Sequence, residues 1–487
     1  MTGAPEPLQR VLNGLPVFLP TDYESSTTSG SRQFPNYHRS AMRSALRPPV
    51  DVVTIKGGFA IDGELAVRGA KNSISKQLVA SLLTEETTIL RNTPAISDTF
   101  IVSEMLRAMG VEVETEADGA GTITVAATNV IPLSPGRLGE FTGKSRIPIL
   151  LCGPLLHRTG EALIPSLGGD DIGKRQVNYH LMALQQLGAE IDERSDGWHL
   201  HTDGLSGCEI RLPYPSVGAT EQVLLSAVLA EGTTVLHGAA IEPEILDIIA
   251  VLQKMGSAIM FGADRTIIIH GQTRLHGYEH TAIPDRLEVA SWACAAIATH
   301  GEVFVRNARV EDMVSFLGAY RLLGGHFAAS PEGIHFRRAT DELQPVELET
   351  AVHPGLMTDW QAPIGVTLTQ ASGSSVIHET VYENRFGYTD ALVSMGADIS
   401  VSSGCPKGHA CRFGGLGHPH SATFRGVTPL HGGDLVVPDL RAGFSHFIAA
   451  MIAEGNTTIR GVGMIERGYE GFLEKLQTIG VQIVSAH

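Results

Sequence analysis

The chain is short of cysteine, of positive charge and of long apolar runs, and each shortage excludes something. Five cysteines in 487 residues, an odd number lying mostly inside apolar stretches, suit reduced thiols rather than a disulfide framework. Thirty-six Lys and Arg against 52 Asp and Glu leave a net charge of −16. That argues against a nucleic-acid or anionic-membrane surface, where cations must neutralise phosphates. An anionic ligand must then be gripped by a local basic cluster. No apolar run reaches the roughly 18 residues of a membrane span, and the N-terminus lacks a basic-then-apolar signal pattern, so a cytoplasmic protein is expected. Two thiols stand close together in Cys405-Pro-Lys-Gly-His-Ala-Cys411, with His409 between them. A tetrahedral zinc site needs a fourth ligand, and none stands out nearby. The segment reads as a turn between strands, and neither metal nor cofactor is expected.

What is present is a glycine-rich globular sequence, 43% apolar with 54 glycines, too long for one ordinary core and so expected to form two domains. Residues 1–50, rich in Ser, Thr, Pro, Tyr and Arg, read as a poorly ordered extension. From Val52 short strands and tight turns begin. The strongest signal is an internal repeat: an amphipathic helix with a Leu-x-x-Met-Gly-like stop recurs six times, ending at Gly110, Gly188, Gly256, Gly324, Gly396 and Gly480, at spacings of 78, 68, 68, 72 and 84 residues. Each glycine is expected in the left-handed position that terminates a helix. An alternating strand follows, as in Val111-Glu-Val-Glu, and a β-branched strand precedes, as in Thr233-Thr-Val-Leu and Thr457-Thr-Ile-Arg. Units of about 70 residues exceed solenoid periods and point to a small α/β module used three times per domain.

Several positions could carry chemistry. The octet Gly168-Gly-Asp170-Asp171-Ile-Gly-Lys174-Arg175 pairs two carboxylates with two cations, although alone it would pass for a surface turn. Lys71 and Asn72, in Gly69-Ala-Lys-Asn-Ser, stand between a strand and a helix-like run from Ile74 to Leu83, near a helix N-terminus that favours anions. Arg146 precedes the apolar run Ile147 to Leu151, read as a strand. Pro213-Tyr-Pro-Ser216-Val217-Gly218-Ala-Thr220-Glu221 turns into a helix expected over Gln222 to Leu229 and offers hydroxyls and backbone donors. Met357-Thr-Asp359-Trp-Gln361, Glu379-Thr-Val381-Tyr-Glu-Asn-Arg385 and Pro438-Asp439-Leu-Arg441-Ala-Gly443 each put charge at an element boundary, where functional groups concentrate.

Taken in order with Arg467-Gly-Tyr469-Glu, these motifs resemble the UDP-N-acetylglucosamine enolpyruvyl transferases of the EPSP synthase-like family, over about residues 52 to 485. The resemblance implies a two-domain inside-out α/β barrel of six βαβαββ units, three per domain, with the active site in the cleft between domains. It places residues 71–284 in one domain and residues 51–70 plus 285–487 in the other. It implies phosphoenolpyruvate and a uridine nucleotide or nucleotide sugar as ligands: Lys71, Arg146, Arg175 and Arg441 for the phosphate and carboxylate of phosphoenolpyruvate; Asn72, Ser216, Val217, Gly218 and Val381 near the nucleotide sugar; Asp359 as base for the acceptor hydroxyl. In the segment Gln176-Val177-Asn178-Tyr179, expected to line the uracil, the family more usually reads Pro-x-Asp.

One departure sits at the centre. The family's usual loop acid is a cysteine, and the aligned position here is Asp170. An ordinary aspartate, with a pKa near ~3.9, is ionised at neutral pH, so Asp170 must be pushed upward in the closed site to donate a proton. Fosfomycin, which alkylates that cysteine, is expected not to inactivate this chain. Two alternatives stay open beside the peptidoglycan-precursor reaction. One is a paralogue acting on another uridine nucleotide, such as UMP, in nucleoside-antibiotic synthesis; the other is a catalytically silent nucleotide-sugar binder.

Overall fold

All six repeat glycines adopt positive φ, between 83° and 108°, the region only glycine enters without a Cβ penalty. At five of them the chain closes a Schellman pair. At the first, Gly110 N–H donates to Arg107 O and Val111 N–H to Leu106 O; Gly188, Gly256, Gly396 and Gly480 repeat the pattern with the residues that follow them. The helix stop written in the sequence is therefore a hydrogen-bonded reversal that hands each helix to the next strand.

The computed structural model describes residues 50–116, 119–168, 177–195, 197–406 and 411–487. The N-terminal extension to residue 49 and the loop carrying Asp170, Arg175 and Gln176 lie outside these.

Among the described residues the strands form six sheets. Five share one design: a parallel edge pair followed by two antiparallel pairings, as in Glu209–Arg211, Thr233–His237, Ile267–His270 and Ala258–Phe261. The sixth, of Glu161–Pro165, Gly197–His201 and Glu190–Arg194, has the antiparallel part alone. Where that repeat's first strand is expected, residues 135–141 make helical turns opened by Pro135, whose fixed φ suits the start of a helix.

Helices fill the inside and sheets the outside. Arg286–Ala298 is buried along its whole length, as is Gln361–Leu368, and Leu440–Ile452 nearly so. Helices without a polar face belong in a core. These three pack on one another, while the strands alternate buried and open positions, as in Asn456–Arg460. The apolar core they share begins at Val53–Val67 and resumes at Leu287. A second core, from Ile74 to Ala282, surrounds Lys71–Ala80, Cys152–Thr159 and Val217–Ala227. There a Cβ on Gly153 would come within 3.0 Å of Ser226 Cα, so only glycine permits that helix contact. This is the inside-out arrangement the resemblance implies.

Two local expectations need correction. Ile147–Leu151 is a 3-10 helix leading into Cys152–Thr159, not a strand; a five-residue apolar run has no period that separates the two, and Pro148 at its start favours the helix. The helix after Pro215 begins at Val217 rather than Gln222, because the Ser216 hydroxyl accepts from Ala219 N–H at 3.3 Å and caps it.

Candidate active site

Between the two cores lies a cavity of about 670 Å³. The starts of many helices converge on it: Lys71, Asp98, Asn178, Val217, Glu244, Arg286 and Leu440 each lie in the first turn of a helix and line the wall. The positive ends of their helix dipoles there favour an anion. Eight Lys and Arg side chains line the cavity against six carboxylates, a local positive excess inside a chain of charge −16.

Of the residues singled out from sequence, Lys71, Asn72, Arg146, Asn178, Tyr179, Ser216, Val217, Gly218, Asp359, Val381 and Arg441 all line this cavity. Val177 does not; it caps Asn178–Gln186 and packs on the second core. The remaining three, Asp170, Arg175 and Gln176, lie outside the described residues.

Several of these cations are held by a carboxylate or a ring. Lys71 Nζ sits 3.0 Å from Asp98 Oδ2, whose other oxygen is 3.8 Å from Arg467 Nε. Asp98 therefore bridges a lysine beside the second core and an arginine beside the first. Arg385 Nη2 donates to Asp359 Oδ1 at 2.5 Å. Arg441 Nη2 is 3.5 Å from Asp285 Oδ2, and its guanidinium stands 5.2 Å from the Tyr469 ring centroid. Burial opposes the charge on Arg441, but Tyr469, Asp285 and Asp359 outweigh it and hold its pKa above the ordinary arginine value. Its Nη1 is buried without a protein hydrogen-bond partner, a donor placed for a ligand.

The backbone is shaped to present these groups. Asp439 accepts from the amides of Arg441 and Ala442 at 2.9 Å, capping the helix that carries Arg441. Fully buried Glu379 joins two turns: one oxygen accepts from Thr358 Oγ1 and Gln361 Nε2, the other from the amides of Val381 and Tyr382. That carboxylate fixes Asp359 relative to Val381. A Cβ on Gly218 would lie 2.8 Å from His180 Nε2, so glycine there lets the imidazole close the wall. Burial pushes His180 down to about 4, with Arg146 adding to the fall and a hydrogen bond with Gln222 opposing it, so the ring is neutral near pH 7. Glu221, 3.6 Å from Lys76, is raised to about 7 because burial exceeds the pull of the lysine.

The sequence did not single out Glu379 as the organiser, nor Lys76, Arg286 and Arg412, three cations that line the cavity. Glu379 had a signal, since it opens the Glu-Thr-Val-Tyr-Glu motif; the partners of the others come from distant segments and leave no local pattern. No helix among the described residues is long and apolar enough to cross a membrane.

A model of the EPSP synthase (3-phosphoshikimate 1-carboxyvinyltransferase) family matches residues 55–476. The chain is 46% identical over 444 residues to the UDP-N-acetylglucosamine 1-carboxyvinyltransferase of Protochlamydia amoebophila (strain UWE25), covering 89% of this chain and 94% of that protein. It is 44% identical over 441 residues to the protein of the same name from Chlamydia pneumoniae, covering 89% and 95%. Among solved structures, the enolpyruvyl transferase NikO from Streptomyces tendae matches with a TM-score of 0.78 at 24% identity, covering 90% of this chain and all of that one. EPSP synthase from Acinetobacter baumannii matches at 0.68 and 18%, covering 89% and 99%. These two likenesses bear on the fold, the two-domain architecture of enolpyruvyl transferases.

Proposed function

The chain belongs to the EPSP synthase family of carboxyvinyl transferases, and on that premise we propose that it moves the enolpyruvyl group of phosphoenolpyruvate to the 3-hydroxyl of UDP-N-acetylglucosamine, releasing phosphate. The observation that carries this reading is the concentration of cations and helix starts on one cavity of an acidic protein. Phosphoenolpyruvate brings a phosphate and a carboxylate, and a nucleotide sugar brings a diphosphate; few other pairs of metabolites need so many donors in one cleft.

The roles follow from the chemistry. Lys71, Arg146 and Arg441 hold the anionic groups of phosphoenolpyruvate, with Arg175 joining from its loop. Asp359, its carboxylate already ordered by Arg385, takes the proton of the acceptor hydroxyl as that oxygen attacks C2. Asp170 gives a proton to C3 in the addition and recovers one in the elimination that expels phosphate. Asn72, Ser216, Val217, Gly218 and Val381 line the nucleotide-sugar side, and Asn178 and Tyr179 stand where the uracil is expected. The contacts of Asp98 with both Lys71 and Arg467 tie the two walls together, and a closed cleft keeps water from the cationic intermediate. The product is a peptidoglycan precursor, which places the enzyme in the cytoplasm.

The identity of the acceptor is tested with purified protein, phosphoenolpyruvate and either UDP-N-acetylglucosamine or UMP, reading phosphate release. Turnover with the nucleotide sugar is expected. Turnover with UMP alone would shift the assignment to a paralogous transferase, and none with either would make the chain a binder.

A further inference from the structure

Two thiols and two imidazoles from three separate segments meet at one end of the sheet formed by Glu347–Glu349, Gly373–His378, Ser421–Gly426 and Asp398–Ser402. Antiparallel register places His378 and Ser402, each the last residue of its strand, opposite Ser421. His420, one residue before that strand, therefore stands beside His378, with ring centroids 5.1 Å apart. The segment between Ser402 and His420 brings in Cys405 and Cys411. Cys405 Sγ lies 3.5 Å from Cys411 Sγ and 3.4 Å from His420 Nε2, and one donor atom from each of the four residues falls within 4.8 Å of all the others.

Hydrogen bonds set the tautomer of both rings. Ser421 gives its single hydroxyl proton to Gly404 O at 2.7 Å, so its 2.9 Å contact with His378 Nδ1 makes that nitrogen the donor. His420 Nδ1 lies 2.7 Å from His418 O, which can only accept. Each imidazole is left with its lone pair on Nε2, the form that ligates a metal while the other nitrogen is anchored. The Phe413 amide donates to Cys411 Sγ at 3.3 Å, which suits a thiolate.

A disulfide does not explain this geometry. A disulfide brings its sulfurs to about 2 Å, and these cysteines are unbridged. A tetrahedral zinc ion, with Zn–S near ~2.3 Å and Zn–N near ~2.0–2.1 Å, sets S···S at about 3.8 Å and S···N at about 3.6 Å; the two spacings from Cys405, to Cys411 Sγ and to His420 Nε2, fall within a few tenths of an ångström of these. Two thiolates and two imidazoles also select zinc over the hard cations magnesium and calcium.

We propose that Cys405, Cys411, His420 and His378 are the four ligands of a structural zinc ion. Four protein ligands leave no open position, so the ion does no chemistry on substrate. Its binding displaces the two thiol protons and ties the described residues around Cys405 and Cys411 to the sheet. Two consequences reach the cleft. Arg412 follows Cys411, and its guanidinium lies 4.3 Å from the Tyr214 ring centroid on the opposite wall. Glu379, which orders the Asp359 and Val381 turns, follows His378.

Full-length protein, reduced, loaded with zinc chloride and desalted, is expected to retain about one zinc per chain by elemental analysis. The Cys405→Ser/Cys411→Ser double variant is expected to retain close to none, and Arg412→Ala to retain as much as the wild type. Cobalt(II) loading of the wild-type chain gives a readout that needs no variant to fold: thiolate-to-cobalt charge transfer and intense tetrahedral d–d bands are expected, bleached by added zinc. Zinc retention equal in wild type and double variant, or a cobalt spectrum of the weak octahedral kind, would overturn the assignment. So would a Cys405–Cys411 disulfide in peptide maps of the zinc-loaded protein.

Discussion

Arg286 and Glu244 form a two-point ion pair in the floor of the cleft: Nε and Nη2 each donate to one carboxylate oxygen at 2.9 Å, with both side chains buried. Glu244 belongs to the helix Pro243–Lys254 beside one core and Arg286 opens the helix Arg286–Ala298 of the other, so the pair fastens the two halves where the chain crosses between them. The Trp360 ring lies 5.3 Å from the guanidinium carbon. Burial raises the Glu244 pKa, but Arg286 more than offsets it, and the carboxyl ends below its ordinary value.

Removing one partner strands a buried charge. Glu244→Gln is expected to lower unfolding stability by about 3–5 kcal/mol, and replacement of both partners by apolar residues of similar volume to cost much less. Urea unfolding of Glu244→Gln and of the double variant checks this. Because the folded pKa of Glu244 is depressed, its contribution is present above about pH 4.5 and lost as pH falls through the folded value. The stability gap between wild type and Glu244→Gln should therefore narrow in acid.

How much of this was legible in sequence differs by feature. The six helix-ending glycines were legible because a positive φ is a backbone requirement that one residue type meets, and they exposed the sixfold repeat. The cavity residues were visible individually as charges at element boundaries, such as Lys71 and Asp359, but their ion pairs were not: Asp98 with Arg467, or Glu244 with Arg286, join residues that only the tertiary fold brings together. The Cys/His cluster failed for the same reason. Cys405 and Cys411 stand close in sequence with His409 between them, yet the two imidazoles come from His378 and His420, which strand register, not spacing, sets beside the thiols.

Asp359→Asn is expected to lower kcat by about 10²–10⁴-fold, the range for loss of a positioned general base, with dissociation constants for nucleotide sugar changed only a few-fold. The amide keeps the acceptor oxygen facing Arg385 and so preserves the turn held by Glu379. Single-turnover phosphate release and calorimetric binding measured on the same preparation separate the two effects. A drop in affinity as large as the drop in kcat would make Asp359 a binding residue instead.

Position 170 predicts a drug response. With a carboxyl in place of the thiol, fosfomycin should leave activity unchanged after prolonged incubation, and intact mass should show no adduct. Asp170→Cys is expected to acquire time-dependent, stoichiometric labelling at residue 170, since a thiolate opens an epoxide far more readily than a carboxylate does. Asp170→Asn, unable to give or take the C3 proton, should fall by about 10²-fold or more in kcat. Stoichiometric alkylation of Asp170 in the wild type would show that its carboxyl is nucleophilic rather than protonated.

Glu221 predicts an opposite pH dependence to Glu244. Its carboxyl is fully buried 3.6 Å from Lys76, and burial outweighs the lysine to raise its pKa to about 7. In the unfolded chain the same group titrates near 4.5. Between those values the folded state holds a proton that the unfolded state has released, so stability must fall as pH rises from about 4.5 to about 7 and then level off. Glu221→Gln removes the titration while keeping the shape. Relative to wild type it should be more stable at pH 8 than at pH 5.5, by a difference on the order of 1–3 kcal/mol at the scale of 1.36 kcal/mol per pKa unit. Thermal unfolding of both proteins at the two pH values measures it directly. If the wild-type minus variant difference does not change between pH 5.5 and pH 8, Glu221 is already ionised against Lys76, and this wall of the cleft carries one more fixed negative charge opposite the anions it binds.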